Sequence, residues 1–477
     1  MRSSMTDPLP MGDFPFPENE FFRGEGRRLK AALVLAVLWG LVTLLHWFAW
    51  GRGLVVAIAA IAGIYAVRLL LARPAAEVTL GLPLAGAGED LESWPSVAIL
   101  VAAKDEEAVI GRLVRSLQGL DYPRDRLEIV IVDDASGDRT GAIVEAIAQT
   151  DERVRLLRRS PGAGGGKSGA LNDAAALTSG EILVVFDADA QVPTDLLRRA
   201  VPLFGRSRLG AVQLRKAVVQ VEGGDPARDR DRTNFWLRGQ QAEMALDCFL
   251  QQQRIAVGGI GELRGNGEFL RREALTACGG FNEETITDDL DMTLRLHLAG
   301  WDIGCLTVPA VQEEGVTALA PLWHQRNRWA EGGYQRYLDY WRSLLANPLG
   351  GSKRLDLLLF CMFQYLLPQA TVPDTVLSLI RGEAPVLVPL VALGLTLSNA
   401  SAFLGLRRAA IAMASEPLGW RDRVRGWGSA AFLTALCSVY MLHWFVVIVF
   451  AGLRMAVRPK QLKWVKTAHG TAIAAES

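Results

Sequence analysis

The sequence predicts an α/β domain with a doubly wound, mostly parallel sheet, set between transmembrane helices. Three observations carry that expectation. Between residues 96 and 345 short apolar runs of strand length alternate with segments of helical period, the pattern of a parallel sheet covered by crossover helices. Long stretches with almost no charge lie on both sides of that region, several of them long enough to cross a bilayer. Acidic residues recur just past the strand-like runs, at Asp105, Asp133-Asp134 and Asp187-Ala188-Asp189, the edge at which such sheets bind ligands.

Composition agrees with a mixed membrane and soluble protein. The 477 residues leave room for two or three domains. Half are hydrophobic, yet 21% are charged. A formal net charge of zero gives no support for nucleic-acid binding. The five cysteines are widely separated and form no Cys-x-x-Cys pair, which argues against a zinc site or a disulfide framework and fits a reducing compartment.

Taken in order, residues 1–26 are rich in Pro, Gly and acids without periodicity and read as a mobile tail. Residues 27–75 hold two apolar stretches separated by Gly51-Arg52-Gly53, a transmembrane hairpin. Arg27, Arg28 and Lys30 before it, with Arg68 and Arg73 at its far end, put both ends in the cytoplasm. Strands follow over 97–101, 127–132, 154–157 and 182–186, with helices over 107–117 and 140–149. The aromatic stretch within 334–346 reads as an interfacial helix or as an ordinary packed one. Apolar stretches between 355 and 453 form a second membrane region, its first member interrupted by Pro368 and Pro373. The loop 407–425 and the tail 454–477 are both basic. Both therefore favour the cytoplasm, although one span lies between them, and the count stands at four or five.

Several motifs carry chemistry. Asp187-Ala188-Asp189 offers two carboxylates at a strand end, and oxygen ligands suit a hard divalent cation. Asp133 and Asp134 can accept hydrogen bonds from a uracil or ribose, or cap the next helix. Gly164-Gly165-Gly166-Lys167 is not a Walker loop, because Pro161 stands where the first glycine belongs. Lys167 still sits where a diphosphate can approach closely. Thr287-Asp288-Asp289-Leu290-Asp291 is either an acidic helix start or the seat of a general base. In Gln325-Arg326-Asn327-Arg328-Trp329 the guanidinium suits a phosphate and the indole can pack a sugar.

Together these clusters resemble the signature of the inverting, membrane-bound family 2 glycosyltransferases, which include the cellulose and hyaluronan synthases. Thirty-five residues separate Asp289 from Gln325, matching the family's interval between its third acid and Gln-x-x-Arg-Trp. The resemblance implies a GT-A-type fold over residues 96–333. It implies Mg²⁺, or Mn²⁺, at Asp187 and Asp189, and Asp289 as base. It further implies donor binding by Asp133, Asp134, Lys167, Asp187, Gln325, Arg328 and Trp329. Stretches at 258–267, 282–289, 323–334 and 457–466 resemble most closely the members that glucosylate a membrane lipid. That closer likeness implies UDP-glucose as donor, the 3-hydroxyl of diacylglycerol as acceptor, and a cytoplasmic catalytic domain on the plasma or thylakoid membrane. One departure is Ala102-Ala103-Lys104-Asp105-Glu106 in place of Pro-x-x-Asn-Glu. Another is the lack of a Phe-x-Val-Thr gating segment, which weakens the alternative of a processive polysaccharide synthase.

Overall fold

The computed structural model describes residues 26–75, 94–219, 234–346, 349–412 and 420–458. The expected N-terminal tail and all but the start of the basic C-terminal tail lie outside these residues. Seven strands form one sheet: β1 (Val97–Ala103), β2 (Leu127–Asp133), β3 (Val154–Arg158), β4 (Ile182–Phe186), β5 (Leu209–Val219), β6 (Glu268–Arg271) and β7 (Asp302–Glu314). Their order is β3-β2-β1-β4-β6-β5-β7. β1 runs parallel to β2 and β4, and β2 to β3. β6 is antiparallel to both β4 and β5, whereas β5 and β7 are parallel. The chain therefore winds outward from β1 in both directions, and the switch lies between β1 and β4.

The apolar runs form strands because both faces of the sheet are covered. Val97, Ile99 and Val101 pack on one side with Ile110, Leu113 and Val144. Ala98 and Leu100 pack on the other with Ala170, Leu171 and Met292. This is the period-two alternation of a strand, with a core on each face.

Among the described residues five helices are long and apolar enough to cross a membrane: Arg27–Trp47, Gly51–Leu71, Gly351–Arg381, Val388–Ile411 and Gly426–Val457. The sequence left open a break near Pro368 and Pro373. The chain instead stays helical, with a π turn at Met362–Leu366 just ahead of Pro368. Such a turn shifts the backbone pairing where a proline has no N–H to give.

The 334–346 stretch is not a separate element but the second half of a long helix, Leu319–Ala346. Tyr334 and Tyr340 are buried, and of the aromatic residues in the stretch only Trp341 is well exposed. The reason is that their hydroxyls find partners inside: Tyr334 donates to the Tyr365 carbonyl at 3.1 Å, and Tyr340 to Asp291 at 2.7 Å.

A buried ionic chain joins the domain to the spans. Fully buried Glu262 accepts from Arg254, Arg264 and Arg336 at 3.1, 2.8 and 2.8 Å. Arg254 also reaches Asp356 at 3.0 Å, and Asp356 accepts from the Tyr65 hydroxyl at 2.8 Å. The last helix, Trp420–Val457, is held to the domain as well. Tyr440 and Trp444 donate to Glu243 at 2.9 and 2.6 Å, and Arg454 pairs with Glu331.

Candidate active site

Loop geometry at the strand ends delivers the first cation. Gly164, Gly165 and Gly166 all adopt positive φ, at 77°, 68° and 54°, and a side chain on Gly165 would collide with Glu283. The turn they make starts the helix Gly166–Ala176 with Lys167 in its first turn. Lys167 Nζ donates to Asp187 Oδ1 at 2.8 Å and lies 3.9 Å from Asp288. Burial pushes the Asp187 carboxyl up, but Lys167, Lys216 and Arg328 outweigh it and hold the group below its usual range.

Asp189 behaves in the opposite way. It is buried, and burial together with the charges of Asp187 and Glu313 pushes its carboxyl up to about 7. Its Oδ2 accepts a backbone hydrogen bond from Glu314 at 3.3 Å. This is a crowded acidic strand end with hard oxygens, a donor set that fits Mg²⁺ or Mn²⁺. No group of three or more His, Cys, Asp or Glu side chains suited to a metal occurs among the described residues. A cation here would therefore complete its shell with other oxygens, such as those of a diphosphate.

Across the cavity stands the third cluster. Thr287 ends an extended segment and Asp288 opens the helix Asp288–Leu298. Asp289 Oδ1 accepts from the Leu290 N–H at 2.8 Å. Burial and the neighbouring Asp288 raise its carboxyl to about 6, against the pull of Lys167 and Arg264. Nearby Glu268 is fully buried and is raised well above the carboxylate range by burial and by Asp289 and Asp288. One of its oxygens accepts from the Gly265 N–H at 2.6 Å and the other has no partner.

The Gln325–Trp329 motif lies on the helix Leu319–Ala346, and Gln325, Arg328 and Trp329 line the cavity. Their spacing of three and four puts them on one helix face. Arg326 points elsewhere: it is buried, bonds Glu243 at 2.6 Å and Tyr440 at 3.1 Å, and stacks 4.0 Å over the Trp329 ring. Trp329 is thereby braced from behind.

One cavity of about 610 Å³ brings together Lys167, Asp187, Asp189, Asp289, Arg328 and Trp329. Asp133 and Asp134 are not on its wall. Asp134 pairs with Arg159 at 2.6 Å, and Asp133 accepts from the Ser136 N–H at 3.0 Å, so both tie down the turn after β2. Sequence reasoning missed Lys216, Glu313 and Glu268. Lys216 pairs with Glu313 at 3.0 Å and sits 5.4 Å from the Trp329 ring centroid. The available signal was charge near the ends of apolar strands: Arg215-Lys216 in β5 and Glu313-Glu314 closing β7.

A sheet with this switch point, acids at its carboxyl edge and a basic motif facing them defines a sugar-transferring enzyme. Residues 95–332 match the family described as glycosyltransferase like family 2, and the chain belongs to that family as a membrane-associated glycosyltransferase. It is 50% identical over 458 residues to a beta-monoglucosyldiacylglycerol synthase of Synechocystis sp., covering 95% of this chain and 91% of that protein. The enzyme of the same name from Trichormus variabilis is 49% identical over 451 residues, 94% of this chain and 90% of the relative. The cellulose synthase catalytic subunit of Komagataeibacter sucrofermentans is more distant, 27% identical over 349 residues, 66% of this chain and 42% of that one.

Proposed function

We propose that the protein transfers glucose from UDP-glucose to the 3-hydroxyl of 1,2-diacylglycerol with inversion, forming β-monoglucosyldiacylglycerol at the cytoplasmic face of the plasma or thylakoid membrane. The observation that carries this reading is the near full-length likeness to two enzymes named for that product, spans included. The cavity supports it, because its wall runs from the acidic cluster to residues of the membrane helices.

The residues divide the work as follows. Asp189 and Asp187 would hold a divalent cation, Mg²⁺ or Mn²⁺, which would supply positive charge to the diphosphate. Lys167 and Arg328 add to it at the same place. Gln325 and Trp329 hold the sugar, and Asp133 and Asp134, off the cavity wall, act on the uridine end by fixing the turn after β2. Asp289 takes the proton of the acceptor hydroxyl as that oxygen attacks the anomeric carbon. The bond from that carbon to UDP breaks on the opposite face, so α becomes β. A carboxyl raised to about 6 is ionised at neutral pH and still basic enough to accept the proton.

Topology follows from the last helix. Near its start Trp427 packs 4.1 Å from the Arg407 guanidinium, and the adjacent Arg408 bonds Gln253 of the domain at 3.1 Å. Near its end Arg454 pairs with Glu331, also in the domain. The helix therefore lies along the membrane surface under the domain, and the other four helices span. An even count puts both basic flanks in the cytoplasm, as the positive residues require. A cysteine placed at Arg458 should react with an impermeant thiol reagent only from the cytoplasmic side; labelling from outside would restore five spans.

The activity test uses purified protein with labelled UDP-glucose or UDP-galactose and diacylglycerol vesicles. Label soluble in organic solvent, from UDP-glucose, in a β-linked lipid is the expected result. Alcohol-insoluble label would instead mean a polymer, and preference for UDP-galactose would change the donor.

A further inference from the structure

The cavity that holds the acidic cluster does not end there. Its wall continues along the helix Phe235–Ala256 at Met244 and Leu250. It then reaches Phe360, Gln364 and Tyr365 of the candidate span Gly351–Arg381, and Met441 and Trp444 of the last helix. One arm is thus ionic, and the other is built largely from membrane helices and is rich in apolar and aromatic side chains, with Glu243 beside Trp444 and Arg336 beside Phe360 also on its wall.

The apolar arm contains one anomaly. Gln364 lies in the π turn Met362–Leu366, the kind of local rearrangement that re-aims side chains at functional sites. It is only partly buried, lines the cavity, and its amide has no hydrogen-bond partner among the described residues. Gln369, further along the same helix, shows the contrast: its amide reaches the Tyr334 hydroxyl at 2.9 Å and the Ile448 carbonyl at 2.7 Å. A polar side chain of a membrane helix that faces a cavity tends to be functional, and the Gln364 amide is free to meet whatever fills this one.

We infer that the apolar arm is the acceptor site, entered from the bilayer, and that Gln364 holds the glycerolipid there by donating a hydrogen bond to an ester carbonyl. The inference rests on a diacylglycerol being the acceptor, as proposed above. The acyl chains lie against Met244, Met441 and Trp444, and the free hydroxyl points along the cavity to Asp289. On this assignment the amide stands at the boundary between the two arms, on the wall it shares with Asp289, Met441 and Trp444. That boundary is where the ester groups of a glycerolipid separate its hydroxyl from its chains.

The test compares diacylglycerol with its dialkyl ether analogue, which lacks both carbonyls, in vesicles of otherwise identical composition. With the native protein the ether lipid should show a KM roughly fivefold higher, the worth of one ordinary hydrogen bond. Gln364→Leu should raise the KM for diacylglycerol by a similar factor and leave that for the ether lipid unchanged, while UDP binding by calorimetry is retained. Equal effects of Gln364→Leu on both lipids, or none on either, would overturn the assignment. If the variant does not fold, a diacylglycerol carrying a diazirine in one acyl chain serves instead. Adducts on Met244, Met441 or Trp444 of the native protein support the site; adducts confined to outward-facing residues such as Phe432 and Val439 overturn it. Native protein that glucosylates neither lipid refutes the proposed function itself, a result distinct from either failure of the acceptor site.

Discussion

Glu262 and Asp189 are both buried carboxylates of one domain, yet their surroundings drive them in opposite directions. Around Glu262 three guanidiniums, from Arg336, Arg264 and Arg254, outweigh a strong burial penalty and hold the group well below the carboxylate range. Around Asp189, burial acts with Asp187 and Glu313 to raise it to about 7. The first cluster is electrically finished and joins the domain to its spans. In the second, Lys167 and Lys216 answer Asp187 and Glu313 but no cation is among the main influences on Asp189, and a folded protein tolerates that where a ligand is to supply it. Charge balance thus separates the part that holds the molecule together from the part that works on substrate.

The largest expected effect is on the working side. Asp289→Asn should lower turnover by roughly 10²–10⁴-fold while UDP still binds. Its thermal unfolding temperature should not fall, since a charge has left a crowded acidic site. Near-normal turnover would remove Asp289 from the base role. On the joining side, Glu262→Gln should strip buried Arg336 of its carboxylate and leave Arg254 and Arg264 with one each, Asp356 and Asp247. Breaking such a network costs roughly 3–5 kcal/mol, to be read as a large drop in unfolding temperature in detergent. An unfolding temperature matching the native protein's would erase the distinction between the two clusters.

The pH dependence should follow with opposite signs. Asp189 is raised, so its contribution to stability in metal-free protein is present at low pH and lost as pH climbs from the ordinary carboxylate value through about 7. Glu262 is lowered, so its contribution is present above the ordinary value and lost on acidification. The unfolding temperature of metal-free protein should therefore decline from about pH 5 towards neutrality, and Asp189→Asn should lessen that decline, with Asp289 and Glu268, also raised, keeping part of it. For the same reason Mg²⁺ must compete with a proton, so its apparent affinity should weaken below about pH 7. Removal of divalent ions by a chelator should stop transfer, and Mg²⁺ or Mn²⁺ should restore it. The smallest effect belongs to the surface pair Arg158–Glu145, in which both side chains are more than half exposed. Arg158→Ala should change stability by about 0–1 kcal/mol, and a larger loss would show that an exposed pair counts as much as the buried network around Glu262.

Much of the architecture was legible because β1, β2 and β4 are buried on both faces and so read as unbroken apolar runs. β6 was not, being four residues long with Glu268 and Arg271 at its ends. Its antiparallel insertion between β4 and β5 depends on neighbours far away in the chain. The site shows the same division. Asp187, Asp189, Asp289 and Arg328 announce themselves through local motifs. Lys216 and Glu313 meet only because β5 and β7 pair, across almost a hundred residues, and no local pattern carries that. The aromatic stretch after Gly333 misleads for a related reason: its rings would suit a headgroup layer, but Tyr365 of another helix packs against Tyr334 with ring centroids 4.9 Å apart.

Because Asp356 on a membrane helix answers Arg254 in the domain, and Tyr65 on another helix answers Asp356, neither half can drift alone in descent. A graft of foreign spans onto this domain would strand Arg254 and remove the wall supplied by Phe360 and Met441. Anchor and catalyst are therefore one working part in this protein, and exchanging either calls for matched substitutions across that seam.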